Sequence, residues 1–397
     1  MKYSTLDFAV GENQDGFIFD IGSLYLHLET IEDKRDPKGV RYPLVAVLVM
    51  VILSKLAGEN EPRGIAEWVR LRKEMLIAAL ALNRPSVPHP STYSRILGHA
   101  LSAEEFQHVV SRFLTSQPRA GVSIEIAMDG KSLRGTIPVG QKQGVHLLAA
   151  FLPKEGIVLM QVEVDSKENE ITAAPRLIKS IDLEGKIVTG DAMFAQRELS
   201  KEVVEAGGDY LWSVKANQPA LREEIEAVFT IEEGKTNLKA MATDFSQAKT
   251  VDKGHGRIEQ RQITVTSMLA GHSDWPNLQQ VFKLDREVEE LSTGKRREET
   301  VYGVTSLTRE QANATRLMEL IRGHWGIENG LHYRKDKTLR EDECRLRTGQ
   351  AAQVMAVINN LVIGLAYRQG FKSLPEARRR YNAYPLEALE LILRCRN

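Results

Sequence analysis

The sequence predicts an α/β protein whose mixed-sheet core is preceded by an all-α region and interrupted by a β-rich insertion. Three observations carry that prediction. Apolar residues recur at helical spacing from Leu24 to Gln117, short apolar runs alternate with helical segments from Val122 to Val214, and strand-like stretches stand among charged and turn-forming residues from about 220 to 315. At 397 residues the chain has room for two or three domains, or for one core with a large insertion. Its 42% apolar and 27% charged residues suit a globular protein with a sizeable core and exclude disordered and collagen-like classes. The expected segments are a helical region over 1–117, the first part of the core over 118–219, the insertion over 220–315, and a segment over 316–397 that completes the core with further helices.

In the first segment helices are expected over Pro43–Ala57, Gly64–Leu82, Ser91–Gly98 and Ser102–Thr115. Ser102 with Glu105 three residues on is a capping box, and Pro85–Pro90 runs into Ser91 as an N-cap. The ten apolar residues Leu44–Leu53 fall short of the about 20 that a membrane span needs, so they read as a buried helix. Ser91–Gly98 suits the second helix of a helix-turn-helix, with Tyr93 and Arg95 turned to a major groove; a bundle that only packs on the core is the open alternative.

Beyond Gln117 the period changes. Val122–Met128 reads as a strand ending in Asp129 and Gly130, and Val145–Leu152 with Ile157–Val164 as a hairpin turned by residues 153–156. A helix from near Asn169, a strand Lys186–Thr189 ending at Gly190 and Asp191, a helix Gln196–Ala206 and a strand Asp209–Val214 ending at Lys215 follow. The order β-β-β-α-β-α-β, three antiparallel strands and then two crossovers that add parallel ones, is that of the ribonuclease-H-like fold. Ile258–Thr266, Leu278–Leu284 and Glu299–Leu307 are the strand-like stretches of the insertion, and helices return over Arg309–His332 and Gly349–Tyr367.

Three carboxylates stand out by position. Asp129 and Asp191 each follow an apolar strand, and open α/β sheets place their sites at the carboxyl ends of strands. Glu328 lies on the helix after the insertion, where α-helical spacing presents His324, Glu328 and Lys335 on one face with His332 beside them. Clustered carboxylates repel and raise one another's pKa unless a cation neutralises them. Mg²⁺, or Mn²⁺, is a hard cation that takes such oxygens and keeps room for phosphate and water, and two such ions suit phosphodiester displacement. The alternatives stay open at this level: turn residues for Asp129-Gly130 and Gly190-Asp191, a solvated Glu328, and interface roles for the two histidines, whose spacing of eight excludes the His-Glu-x-x-His zinc pattern.

Basic and polar residues beside the acids suit a phosphate-bearing substrate. Lys131 and Arg134 follow Asp129, Lys215, Asn217 and Gln218 end the fifth strand, and His255 and Arg257 lie in the insertion. Trp212 and Trp325 are core aromatics or, alternatively, platforms for an unpaired base. From Tyr367 to Asn397 seven Lys or Arg stand against three Glu, a net +4, although the whole chain balances 53 basic against 53 acidic residues and shows no overall cationic field. Cys344 and Cys395 read as reduced thiols, and the segment Met1–Ile21, with Glu12, Asp15 and Asp20, lacks a signal peptide's pattern, so a cytoplasmic location is expected.

The stretches Ile126-Ala-Met-Asp-Gly-Lys-Ser-Leu-Arg134, Ile187-Val-Thr-Gly-Asp-Ala-Met193, Gly208-Asp-Tyr-Leu-Trp-Ser-Val-Lys-Ala-Asn-Gln218, His255-Gly-Arg-Ile-Glu259 and Arg322-Gly-His-Trp-Gly-Ile-Glu-Asn-Gly-Leu-His332, in that order, resemble the insertion-sequence transposases of the H-repeat-associated kind. Asp33–Leu44 resembles the helical region that precedes the catalytic domain in that family. The resemblance implies a DDE transposase: a ribonuclease-H-like core in which Asp129, Asp191 and Glu328 hold Mg²⁺ ions, cut double-stranded DNA at the element's ends and join it to target DNA. It implies a homodimer on paired ends, associated with the nucleoid of a prokaryotic cytoplasm, and DNA contacts from the basic and polar residues named above together with His324, His332 and Lys335. The wider group has Tyr, Arg, Glu and Lys where this chain has Ile321, His324, Glu328 and Lys335, so only the last two match. A nuclease that cuts without joining, and a decayed or domesticated relative that only binds DNA, are the alternatives.

Overall fold

The computed structural model describes residues 10–12, 18–20, 22–117, 122–230, 244–254 and 256–394. In chain order the strands are β1 (Val10–Glu12), β2 (Ile18–Asp20), β3 (Glu125–Ser132), β4 (His146–Leu152), β5 (Ile157–Val164), β6 (Ile187–Gly190), β7 (Asp209–Val214), β8 (Ser246–Gly254), β9 (Arg257–Thr266), β10 (Gln280–Glu290) and β11 (Arg296–Thr305). The helices are α1 (Leu24–Glu29), α2 (Leu44–Leu56), α3 (Pro62–Leu71), α4 (Lys73–Ala79), α5 (Pro90–His99), α6 (Ala103–Ser116), α7 (Glu170–Lys179), α8 (Arg197–Glu205), α9 (Pro219–Thr230), α10 (Ala314–His324), α11 (Ala351–Arg368), α12 (Leu374–Ala383) and α13 (Pro385–Leu393). This mixed α/β chain divides into two compact units, one of Met1–Val122, Gly130–Lys167 and Glu328–Asn397, the other of Ser123–Asp129 and Glu168–Ile327.

The first unit is mostly helical, with β4 and β5 as an antiparallel hairpin. The apolar run expected to be a buried helix is α2, buried over every residue from Leu44 to Leu56, Ser54 and Lys55 included. Against it lies Tyr93 of α5, fully buried with its hydroxyl 3.6 Å from Met50 Sδ. That placement removes Tyr93 from any groove contact, because the ring fills the helical core; Arg95 remains exposed. Helix α5 starts one residue before the expected Ser91 cap: Pro90, which has no N–H to satisfy, takes a first-turn position, and His89 caps. Helix α11 is long and apolar enough to cross a membrane by length and composition, and 83% of it is buried inside the structure. The polar residues that break its apolar pattern each find a partner: Asn360 donates to Gln161 (2.7 Å), Asn359 to Glu341 (2.9 Å) and Gln353 to Glu163 (3.1 Å).

In the second unit the strands are hydrogen-bonded in the order β3-β6-β7-β11-β10-β9-β8. β3, β6 and β7 are parallel, and the rest is antiparallel. The segment expected as an insertion supplies α9 and β8–β11, and β11 joins β7 through Tyr302↔Val214 to Thr305↔Leu211. Helix α10, capped by Asn313, packs Leu317, Met318, Leu320 and Ile321 against Ile263, Val265, Phe282 and Leu284 and against Ile187 and Leu211. At roughly 1.5–3 kcal/mol per buried side chain, this seam fixes the helix on the sheet. Arg316 adds an ion pair to the buried Glu125 of β3 at 2.7 Å.

Candidate active site

The parallel register decides which side chains meet. Met128 of β3 opposes Gly190 of β6, and Gly190 opposes Trp212 of β7. Asp129, within β3, and Asp191, the residue that follows β6, come next in the chain on strands that run ~4.8 Å apart. Both residues thus follow the last register pair, at the carboxyl end of β6. Gly190 is needed there for space: a Cβ would sit 2.8 Å from both the Phe194 and Trp212 rings. Trp212 itself is core, fully buried, stacked on Tyr210 at 5.8 Å and donating to Ser200.

Asp191 stands 63% exposed as its chain turns into a short 3₁₀ helix, Ala192–Phe194. His324 Nε2, at the end of α10, lies 3.6 Å from its Oδ1, while His324 Nδ1 is 3.1 Å from Thr189 Oγ1. The His324 ring, with Lys215 further off, holds the Asp191 carboxyl below its ordinary value against the opposing effect of burial. Thr189, two residues before Asp191 and so on the same face of β6, also donates to Ile126 O at 3.2 Å. Sequence reading passed over this threonine, although its period-2 relation to Asp191 was there to find.

Glu328 opens a π-helical stretch, Glu328–His332, and a second one runs over Arg334–Thr338. π-turns recur at functional sites and wind more widely than the α-helix assumed from spacing. In the wider winding position i+7 turns away from i, and Lys335 is 3% exposed with Nζ 3.2 Å from Glu341 Oε2. Within this stretch His332 is buried and Glu328 exposed.

The other expected residues fall into distinct environments. Asn217 donates to Ala192 O (2.6 Å) and Gln218 to Ala195 O (2.9 Å), so both hold the loop behind Asp191. Lys215 and Arg257 are exposed. Lys131 is 11% exposed and paired with Asp336 at 2.5 Å; Arg134 is 79% exposed, 3.6 Å from Asp342. His255 lies outside the described residues. Trp325 caps α10 half-buried, with the Arg261 and Arg286 guanidinium groups 5.6 and 4.9 Å from its ring centre.

The Transposase DDE domain family matches residues 121–365, and a second family, described as DDE_Tnp_1-associated, matches residues 25–114. Similar proteins include the Escherichia coli K12 "H repeat-associated putative transposase YhhI", 26% identical over 87% of this chain and 90% of that one. The "Putative transposase YncI" of Escherichia coli O157:H7 is 28% identical over 87% of each. Among solved structures, a chain of the piggyBac transposase synaptic complex with hairpin DNA aligns with a TM-score of 0.43 at 9% identity, over 92% of this chain and 79% of that one.

Proposed function

Because the chain belongs to the Transposase DDE domain family, we propose that it cuts DNA at the ends of an insertion sequence and joins the freed 3′ hydroxyl to target DNA. The observation that carries this reading is the parallel register of β3 and β6, which pairs Met128 with Gly190, the residues just before Asp129 and Asp191. On a ribonuclease-H-like core these two and Glu328 would hold divalent metal, Mg²⁺ or Mn²⁺, as hard oxygen ligands do. Bound there, the metal supplies Lewis-acid activation of an oxygen nucleophile and screens charge on the phosphate. The chain's own residues keep the carboxylates in place: His324 orients Asp191, while Asn217 and Gln218 brace the loop that follows it. The exposed cations Lys215, Arg257 and Arg134 suit backbone phosphates. Pairing of two ends calls for a homodimer on DNA.

The test is cleavage of duplexes carrying the element's flanking ends, with Mg²⁺ and with chelator, for the native chain and Glu328→Ala. Metal-dependent nicking at the boundary, lost in the variant, is expected, followed by joining to a target plasmid. Nicking without joining would leave a nuclease. End binding without nicking would leave a DNA-binding relative.

A further inference from the structure

Wholly within residues 25–114, the first unit contains a cavity of about 790 Å³ between the segment that follows α1 and helix α5. Its charged lining is one-sided: Lys34, Arg35, Arg41 and Arg95 against Asp36 alone. Two of these are already engaged. Arg35 is forked onto Asp33 (2.8 and 2.6 Å) and onto Tyr42 O, and Asp36 accepts the backbone N–H of Lys38 (3.0 Å). Lys34, Arg41 and Arg95 are exposed and make no ion pair among the described residues.

The neutral lining also donates. The Tyr42 and Ser86 hydroxyls share a hydrogen bond of 3.0 Å. His89 Nδ1 accepts from the Ser91 N–H at 3.3 Å, which leaves Nε2 as the protonated nitrogen of the neutral ring. Three exposed cations, hydroxyls and an imidazole call for a ligand rich in acceptors and negative charge, and phosphate is that ligand.

We propose that this cavity is a phosphate site that grips the backbone of duplex DNA, so that α5 adds affinity and register without reading bases. The proposal rests on the DNA-binding part of the proposed function. The burial of Tyr93, which takes the one aromatic of α5 out of reach of a groove, supports a backbone role over base readout.

The experiment measures binding of the full-length chain to two fluorescent duplexes of unrelated sequence across a salt series, and of pyrophosphate by calorimetry. The native chain is compared with Lys34→Ala/Arg41→Ala/Arg95→Ala, thermal melting checking the fold. Each lost phosphate contact flattens the plot of log affinity against log salt by about 0.9, so the triple variant should lose about 2–3 from the slope. The affinity loss should be equal on both duplexes. Arg95→Gln, a single exposed substitution, should lose about 0.9 and keeps the test open if the triple variant unfolds. Native binding with an unchanged slope in the variants would overturn the site and leave the transposase reading intact. Loss on one duplex only would overturn the backbone role in favour of base reading. Pyrophosphate binding that the triple substitution removes, with DNA affinity unchanged, would overturn the nucleic-acid source in favour of a free phosphate. Failure of the native chain on either duplex would overturn both readings.

Discussion

Asp191 and the Lys335–Glu341 pair put the same elementary charges to opposite uses. Asp191 keeps its carboxylate 63% exposed beside one imidazole, whereas Lys335 and Glu341 are 3% and 4% exposed, 3.2 Å apart, with Asn359 donating to the acid. The first arrangement leaves a partly neutralised anion with lone pairs for another cation. The second spends both charges on each other, and in a dry environment the pair's attraction mostly offsets its desolvation. On the proposed function the carboxylate left in reach of water is the one that would do chemistry, while the closed buried pair helps to hold the frame.

The largest effect that sharpens this contrast is expected from Asp191→Asn, which keeps shape and removes charge. If Asp191 holds metal as proposed, its loss removes several kcal/mol of transition-state stabilisation, on the order of 10⁴-fold in rate. Cleavage of the end duplexes should fall by that amount while stability falls little, since Asp191 is mostly exposed and its contact with His324 is of a kind that contributes about 0–1 kcal/mol. A melting temperature that drops steeply would place Asp191 among the frame residues and break the comparison.

Lys335→Met is the converse. It leaves the Glu341 carboxylate buried without its cation, a loss of about 3–5 kcal/mol in urea unfolding. Lys335→Met/Glu341→Gln keeps an acceptor for Asn359 and should recover most of that loss. If Lys335→Met instead slowed cleavage and left stability untouched, Lys335 would act on the substrate, as the family resemblance implies, and the buried pair would not be what holds this stretch.

How much of this was legible in the sequence follows the same divide. Where one face decides burial, apolar runs were enough: Ile157–Val164 and Asp209–Val214 are strands at the expected bounds, and Leu44–Leu53 is the buried α2. The carboxylates Asp129 and Asp191 showed because each ends such a run. Strand β8 did not show, since its residues alternate between half-buried and exposed and few are apolar. The outer halves of β10 and β11 were hidden by charges that the fold uses across strands, as where Arg296 meets Glu287 (3.4 Å) and Glu289 (3.0 Å). The π winding after Ile327 was invisible for a different reason. An α period was imposed on a segment whose turns are set by what it packs against, and Lys335 consequently went to the wrong face.

Lys55 tests the buried side of the contrast with the most specific signal, a pH dependence. It is 1% exposed in the last turn of the apolar α2, its Nζ is 3.3 Å from Asn60 Oδ1, and among the described residues no carboxylate lies within ion-pair distance. Burial, with the Arg378 charge adding to it, pushes its pKa down from 10.5 to about 7. Between those two values the unfolded chain binds a proton that the folded chain does not, so stability rises with pH across that window, with a slope of up to about 1.4 kcal/mol per unit. Below pH of about 7 both states are protonated and the folded chain carries the full cost of a buried, unpaired ammonium. Lys55→Met should therefore flatten the pH dependence of urea unfolding between pH 7 and 10 and raise stability most at the acid end. An unchanged slope would mean that water or a carboxylate reaches Nζ in solution. In that case α2 would resemble the Lys335–Glu341 pair in having its charge compensated, and the apolar packing around it would be looser than the structure shows.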